Sequence, residues 1–132
     1  MSGGFVYLDS SVALAHVLAE PRRPHGSLWD ESLIASRLLA YESWVVINQR
    51  GLAQSHGEAL RSLLGRVAML EPVEPIVGTV VTPGGSAPRT LDALHLASMR
   101  FLVEQGQDVR LATYDRRLAA LAESAGIPLY PL

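Results

Sequence analysis

The sequence contains no cysteine and no lysine, and both absences narrow the chemistry that the protein can perform. Without cysteine there is no disulfide and no thiolate zinc site, so a metal ion would need oxygen or imidazole ligands. Oxygen ligands favour magnesium or manganese. Without lysine the chain cannot supply a Schiff-base lysine, a P-loop lysine or the lysine of a phospho-receiver. All eleven basic residues are therefore arginine.

Long apolar runs and a strong charge excess are also missing. No run approaches the roughly 20 residues that a membrane span needs, and Asp9 interrupts the first apolar stretch, which has no basic leader before it. We therefore expect a soluble, cytoplasmic protein without a membrane partner. The formal charge of −2 is not the basic excess typical of nucleic-acid-binding proteins. A polyanionic substrate would thus need a bound divalent cation or a local arginine surface.

The length of 132 residues and the hydrophobic fraction of 48% predict a single domain, residues 1–132, around one core. Apolar strands are predicted at 5–8, 32–36, 68–73, 109–114 and 127–132. Helices are predicted at 10–20, 37–53, 57–67, 89–106 and 115–126, and the second of them is expected to end near Gly51. This alternation predicts an α/β fold, a three-layer α/β/α sandwich with a mainly parallel central sheet of about five strands. In the segment 74–89, residues 74–81 fit either a short helix or an extended run, and residues 82–88 indicate a loop.

Two aspartates follow predicted strands directly, Asp9 after the first strand and Asp115 after the fourth. Both therefore lie at the carboxyl edge of the sheet, where open parallel sheets bind their ligands. Each also precedes a helix, and capping that helix is the commoner role for a single aspartate there. The sequence around either residue alone favours the cap.

Two further acids fall in helices, Asp92 near the start of one and Glu42 inside another. Asp92 could be a first-turn acid that suits the helix dipole. Glu42 stands in "LLAYESWVV", where a lone carboxylate costs desolvation energy, although a solvated position between two buried stripes explains it equally well. Four acids on one edge would repel each other unless a cation lay among them, so their joint occurrence favours a site for a hard metal ion.

Four motifs together resemble the PIN domain, and most closely the VapC-type toxins of bacterial toxin–antitoxin pairs: "YLDSS", "LAYESWVVINQR", "RTLDALHLASM" and "LATYDRRLAALA". The resemblance covers nearly the whole chain. It implies a Mg²⁺- or Mn²⁺-dependent endoribonuclease with Asp9, Glu42, Asp92 and Asp115 as catalytic residues. The three aspartates would bind the metal, and Glu42 would reach a second cation or orient the attacking water. The resemblance also implies an RNA substrate, a VapB-like antitoxin and a homodimer.

Hydroxyl and guanidinium groups near these acids are candidates for supporting roles. Ser10 and Thr113 could orient the carboxylates, with Ser10 favoured over Ser11, although hydroxyls at helix starts more often act as caps. Arg50 and Arg116 are candidates for contacts with RNA phosphates.

His95 follows Asp92 by about one helical turn and borders an apolar face, so we expect a hydrogen-bonded structural residue and not a ligand. A non-catalytic PIN-like module that binds RNA or protein remains the main alternative. A phospho-receiver fits poorly, because it needs an acceptor aspartate at the third strand and that strand offers only Glu71. A phosphatase with Asp9 as its nucleophile fits poorly as well, because such enzymes usually have a second aspartate two residues later and position 11 is a serine.

Overall fold

Strands and helices alternate along the chain in the computed structural model, which describes residues 4–71 and 90–132. The strands are β1 (Gly4–Leu8), β2 (Leu33–Ser36), β3 (Val67–Leu70) and β4 (Asp108–Ala112). The helices are α1 (Ser10–Val17), α2 (Leu38–Gln49), α3 (Ala53–Leu64), α4 (Thr90–Glu104) and α5 (Arg116–Ser124). A short 3₁₀ helix at Gly26–Asp30, which the sequence patterns did not indicate, precedes β2.

The strands form one parallel sheet in the order β3-β2-β1-β4. β1 is central, with β2 and then β3 on one side and β4 on the other. The strand order therefore reverses between β1 and β4, and a crevice at such a reversal is the usual ligand site of a parallel sheet. Leu8 pairs with Ala112 at the ends of these two strands. The residues that follow them, Asp9 and Thr113, consequently leave the sheet side by side.

Helices cover both faces of the sheet, as expected for three layers. Along β1, Val6 and Leu8 belong to the core cluster that includes side chains of α1, α2 and α3. Tyr7, which points to the opposite face, belongs to a second cluster with Met99 of α4 and Leu118 of α5. The predicted α/β/α sandwich is thus confirmed.

The sheet has four strands in the described residues and not about five, because the predicted C-terminal strand is reduced to one bridge. Leu129 pairs with Leu111 of β4 in parallel. Leu111 N–H donates to Pro128 O at 2.9 Å, and Tyr130 N–H donates to Leu111 O at 2.8 Å. Pro128 and Pro131 have no N–H, so they cannot extend a ladder of hydrogen bonds in this segment.

The boundary between the second and third helices also differs from the prediction. The expected end of the second helix near Gly51 is confirmed, because α2 ends at Gln49, whereas the third helix, predicted over 57–67, begins at Ala53 and ends at Leu64. Gly51 has φ +68°, and the next N–H, of Leu52, donates to Ile47 O at 2.9 Å. This is the glycine-terminated helix end that an αL residue allows.

The undecided segment 74–89 lies outside the described residues. Within the described ranges, no helix combines the length and the apolar character needed to cross a membrane.

Candidate active site

Asp9 leaves the end of β1 and is buried, with 5% of its surface exposed. It caps α1, because its Oδ2 accepts the backbone N–H of Ser11 at 3.3 Å. The same oxygen accepts the hydroxyl of Ser11 at 2.6 Å and the hydroxyl of Thr113 at 2.9 Å. The capping role predicted for Asp9 is therefore confirmed. The two hydroxyl bonds are shorter than the capping bond, and they fix the orientation of the carboxylate beyond what a cap requires.

The same two hydroxyls also connect β1 to the loop after β4. Thr113 Oγ1 accepts the backbone N–H of Asp115 at 2.9 Å, and Ser11 Oγ accepts the backbone N–H of Tyr114 at 2.9 Å. Ser10 has no side-chain hydrogen bond in the described part of the chain, so preferring Ser10 to Ser11 for this contact is wrong. A capping side chain reaches the second or third residue of its helix, and Ser11 is the second.

Asp115 directly precedes α5, and Asp92 of α4 lies near the first turn of that helix. Asp115 caps this helix, with Oδ1 accepting the N–H of Arg117 at 2.9 Å and that of Leu118 at 3.3 Å. Asp92, in the first turn of α4, is 9% exposed, and its Oδ2 lies 3.9 Å from Nη1 of Arg117. Arg117, which follows Arg116 on α5, thus pairs with an acid. The start of α4 consequently shares the carboxyl edge of the sheet with α5, which spacing alone did not establish.

Glu42 is held by a chain of hydrogen bonds that begins in the core. Its Oε1 lies 2.8 Å from Nε2 of His95 on α4. The other ring nitrogen, Nδ1, lies 2.8 Å from the hydroxyl of Tyr7, which accepts the backbone N–H of Ser36 at 3.1 Å. Both ring nitrogens of His95 therefore have hydrogen-bond partners, and its prediction as a hydrogen-bonded structural residue is confirmed.

Burial and the neighbouring acids shift the pKa values of Tyr7 and His95 in this hydrogen-bonded network. Burial raises the pKa of Tyr7 above its usual value, so the phenol stays protonated. Burial lowers the pKa of His95, but the hydrogen bond and charge of Glu42, with the charges of Asp9 and Asp92, raise it more, and the net shift is upward. Three acids from three different elements therefore act on one imidazole ring.

The donor set fits a partly hydrated magnesium or manganese ion. Within residues 4–71 and 90–132, no three acid or histidine side chains lie close enough together to hold an ion by themselves. Magnesium rarely needs such a cage, because it keeps several waters and binds one or two carboxylates together with substrate phosphate. Asp9 suits this mode, since the hydrogen bonds to its side chain from described residues all fall on Oδ2.

A cleft of about 440 Å³ adjoins this network, with Ser11 in its wall. Arg50, at the end of α2, also lines it, together with Arg22 and Tyr114. The Arg22 guanidinium lies 4.4 Å from the centre of the Tyr114 ring. Arg50 was predicted from the sequence, whereas Arg22 and Tyr114 were not, although Tyr114 directly follows Thr113, whose hydroxyl binds Asp9. Arg116, the second arginine candidate, is exposed at the start of α5.

Comparisons with known proteins agree with this geometry. A model of the PIN domain matches residues 6–124, which span β1 to α5. The chain therefore belongs to the PIN domain family. Among its relatives is the protein named Ribonuclease VapC47 of Mycobacterium tuberculosis (strain CDC 1551 / Oshkosh). The two are 27% identical over 128 residues, and the alignment covers 92% of each chain. The resemblance to the PIN domain and to VapC-type proteins is thus confirmed.

Proposed function

We propose that the protein is an endoribonuclease that hydrolyses RNA phosphodiester bonds with Mg²⁺ or Mn²⁺ as cofactor. The observation that carries this proposal is the buried Asp9 carboxylate, oriented by two hydroxyls at the point where the strand order reverses. Membership of the PIN domain family and the similarity to Ribonuclease VapC47 support the choice of reaction.

Asp9, Asp92 and Asp115 are the residues that would hold the metal, directly or through water. When bound, the ion lowers the pKa of water and offsets negative charge on the phosphate oxygens. Ser11 and Thr113 keep Asp9 in place, and Glu42 orients the attacking water. Because water attacks, and not the ribose 2′-hydroxyl, the products carry a 5′-phosphate and a 3′-hydroxyl.

Arg50 and Arg116 would contact RNA phosphates on either side of the acids. Both are exposed, and Arg50 lines the cleft that adjoins Ser11. Local arginines of this kind allow a protein with a formal charge of −2 to bind a polyanion. They position the strand without reading its sequence.

The VapC name of the relative supports a role as the toxin of a toxin–antitoxin pair, acting in the cytoplasm with a VapB-like antitoxin. The antitoxin would lay a segment over the groove, and a basic side chain of that segment would neutralise the acids.

We also propose a homodimer. Light scattering on the purified protein should then give twice the 14.2 kDa mass of the chain, and a monomer would contradict the dimer.

The proposal is tested by cleavage of a mixed RNA pool by the wild type, Asp9→Asn and the matched control Asp30→Asn, which alters an exposed aspartate. The wild type and the control should cut at the same rate. Asp9→Asn should lose more than about 100-fold in rate, and the products should carry 5′-phosphates. Equal cleavage by both variants, or cyclic-phosphate products, would contradict the mechanism. RNA that is bound but never cut would favour the non-catalytic binding module.

A further inference from the structure

The hydrogen-bonded chain that ends on Glu42 becomes steadily more exposed towards the acids. Tyr7 is completely buried. The side chain of His95 is 3% exposed and that of Glu42 is 18% exposed. The chain therefore connects the core beneath the sheet edge with the one acid of the four that lies on α2.

The directions of these hydrogen bonds follow from the chemistry of the groups. An ionised carboxylate only accepts hydrogen bonds, so Nε2 of His95 donates to Glu42 in every protonation state of the ring. When the ring is neutral, Nδ1 accepts from the hydroxyl of Tyr7. The phenol oxygen in turn accepts the N–H of Ser36. Each member thus fixes the orientation of the next, starting from the backbone at the end of β2.

His95 contacts the acids of the site through its hydrogen bond to Glu42. Both of its nitrogens are engaged, and its 3% exposure keeps RNA and metal ions away from the ring. An apolar side chain of similar size would fill the same space without the desolvation cost of a buried imidazole. A fully satisfied polar network, in contrast, gives rigidity and a defined geometry.

We propose that His95, held by Tyr7, is a positioning residue that fixes the Glu42 carboxylate in the orientation that activates the attacking water. This inference rests on the proposed ribonuclease function. Glu42 stands on a different helix from the three aspartates, and its flexible side chain would otherwise sample several rotamers. Holding one rotamer in advance removes that cost from the catalytic step.

The first test compares His95→Leu, which removes the donor, with His95→Gln, whose amide N–H can still reach Glu42. At saturating RNA and Mg²⁺, His95→Leu should lower kcat by about 10- to 100-fold with little change in KM. His95→Gln should recover most of the loss. His56→Leu is the matched control, because the ring of His56 bonds only its neighbour Ser55 among the described residues, and it should leave kcat unchanged.

The second test introduces His95→Leu into Glu42→Gln and measures single-turnover cleavage. A residue that acts through Glu42 has no further effect once that carboxylate is removed. The same loss in both backgrounds, or a wild-type kcat for His95→Leu, would overturn the proposal. If His95→Leu fails to fold, Tyr7→Phe carries the test: a lower kcat at constant KM supports the proposal, and a wild-type kcat overturns it. Absence of cleavage by the wild type would instead overturn the ribonuclease function itself, and the positioning role with it.

Discussion

Asp9 caps α1 through one carboxylate oxygen, which leaves the other oxygen for the metal-binding role that we propose. In the described part of the chain, the capping N–H and both hydroxyls bind Oδ2. Oδ1 is then the oxygen that remains for a metal ion. The cap and the metal ligand are therefore compatible, whereas the local sequence presented them as alternatives. The cap orients the carboxylate, and the hydroxyls hold that orientation against rotation.

At the scale of single residues, we expect the two serines that follow Asp9 to respond differently to mutation. Ser11→Ala removes the 2.6 Å bond to Asp9 and the acceptor for the N–H of Tyr114. It should lower the free energy of unfolding by about 1–2 kcal/mol, and cleavage by about 10-fold. Ser10→Ala is the control and should change stability by less than about 0.5 kcal/mol. Urea denaturation and RNA cleavage measure both effects, and equal results for the two variants would contradict the assignment of Ser11.

At the scale of elements, α2 and α4 are joined at the sheet edge by the bond between Glu42 and His95. Burial lowers the pKa of His95, but the opposite effect of Glu42, Asp9 and Asp92 is larger. The net result is a pKa raised above the usual value of 6.5. A raised folded-state pKa means that the protonated ring contributes stability that is complete below about pH 6.5 and is lost as the pH rises through the folded pKa. The link between the two helices is therefore strongest in mildly acidic solution.

The contribution of His95 to stability can be measured as the free energy of unfolding of the wild type and of His95→Leu, without divalent metal, between about pH 6 and pH 9. The difference between the wild type and His95→Leu should be largest at the acidic end and should decrease as the pH rises. EDTA is included because a bound cation would offset the charges of Asp9 and Asp92. A difference that grows with pH would show that His95 is buried in its neutral form and that desolvation dominates.

The turn between α2 and α3 gives a second prediction at the scale of elements. Gly51 has φ +68°, which a residue with a β-carbon adopts at a cost. Gly51→Ala should therefore destabilise the protein by about 1–2 kcal/mol in thermal or urea unfolding. Gly26→Ala is the control, because Gly26 has no positive φ and a β-carbon there meets nothing within 4 Å. A similar loss in both variants would contradict the role of the turn.

At the scale of the whole molecule, the sequence predicts the layers and the strand-end acids but not the contacts across the edge. Alternating strands and helices indicate a parallel sheet, and Asp9 and Asp115 follow from their positions after strands. The bond between Glu42 and His95 joins residues 53 apart in the chain, and no local pattern encodes it. Pro128 and Pro131 are visible in the sequence, but how far they shorten the C-terminal strand depends on its pairing with β4, which the local sequence does not determine.

The charge distribution of the whole molecule gives a fourth prediction, about RNA affinity. In an Asp9→Asn background that prevents cleavage, Arg50→Gln and Arg116→Gln should weaken binding of labelled single-stranded RNA. Each should also reduce the salt dependence of log K by about 0.7, which corresponds to one phosphate contact. Arg66→Gln alters an exposed arginine just before β3, at the opposite edge, and should have no effect. Fluorescence anisotropy at several salt concentrations measures this, and three equal slopes would contradict the proposed path of the RNA.

The central claim is that a divalent cation bound by Asp9 and its neighbouring aspartates supports RNA hydrolysis. The most direct measurement is a titration of Mg²⁺ or Mn²⁺ into EDTA-treated wild-type protein with RNA cleavage as the readout. We predict no cleavage in EDTA and a saturable recovery as metal is added, with no recovery in Asp9→Asn. Full cleavage in EDTA, or a folded wild type that cuts nothing at any metal concentration, would contradict the claim.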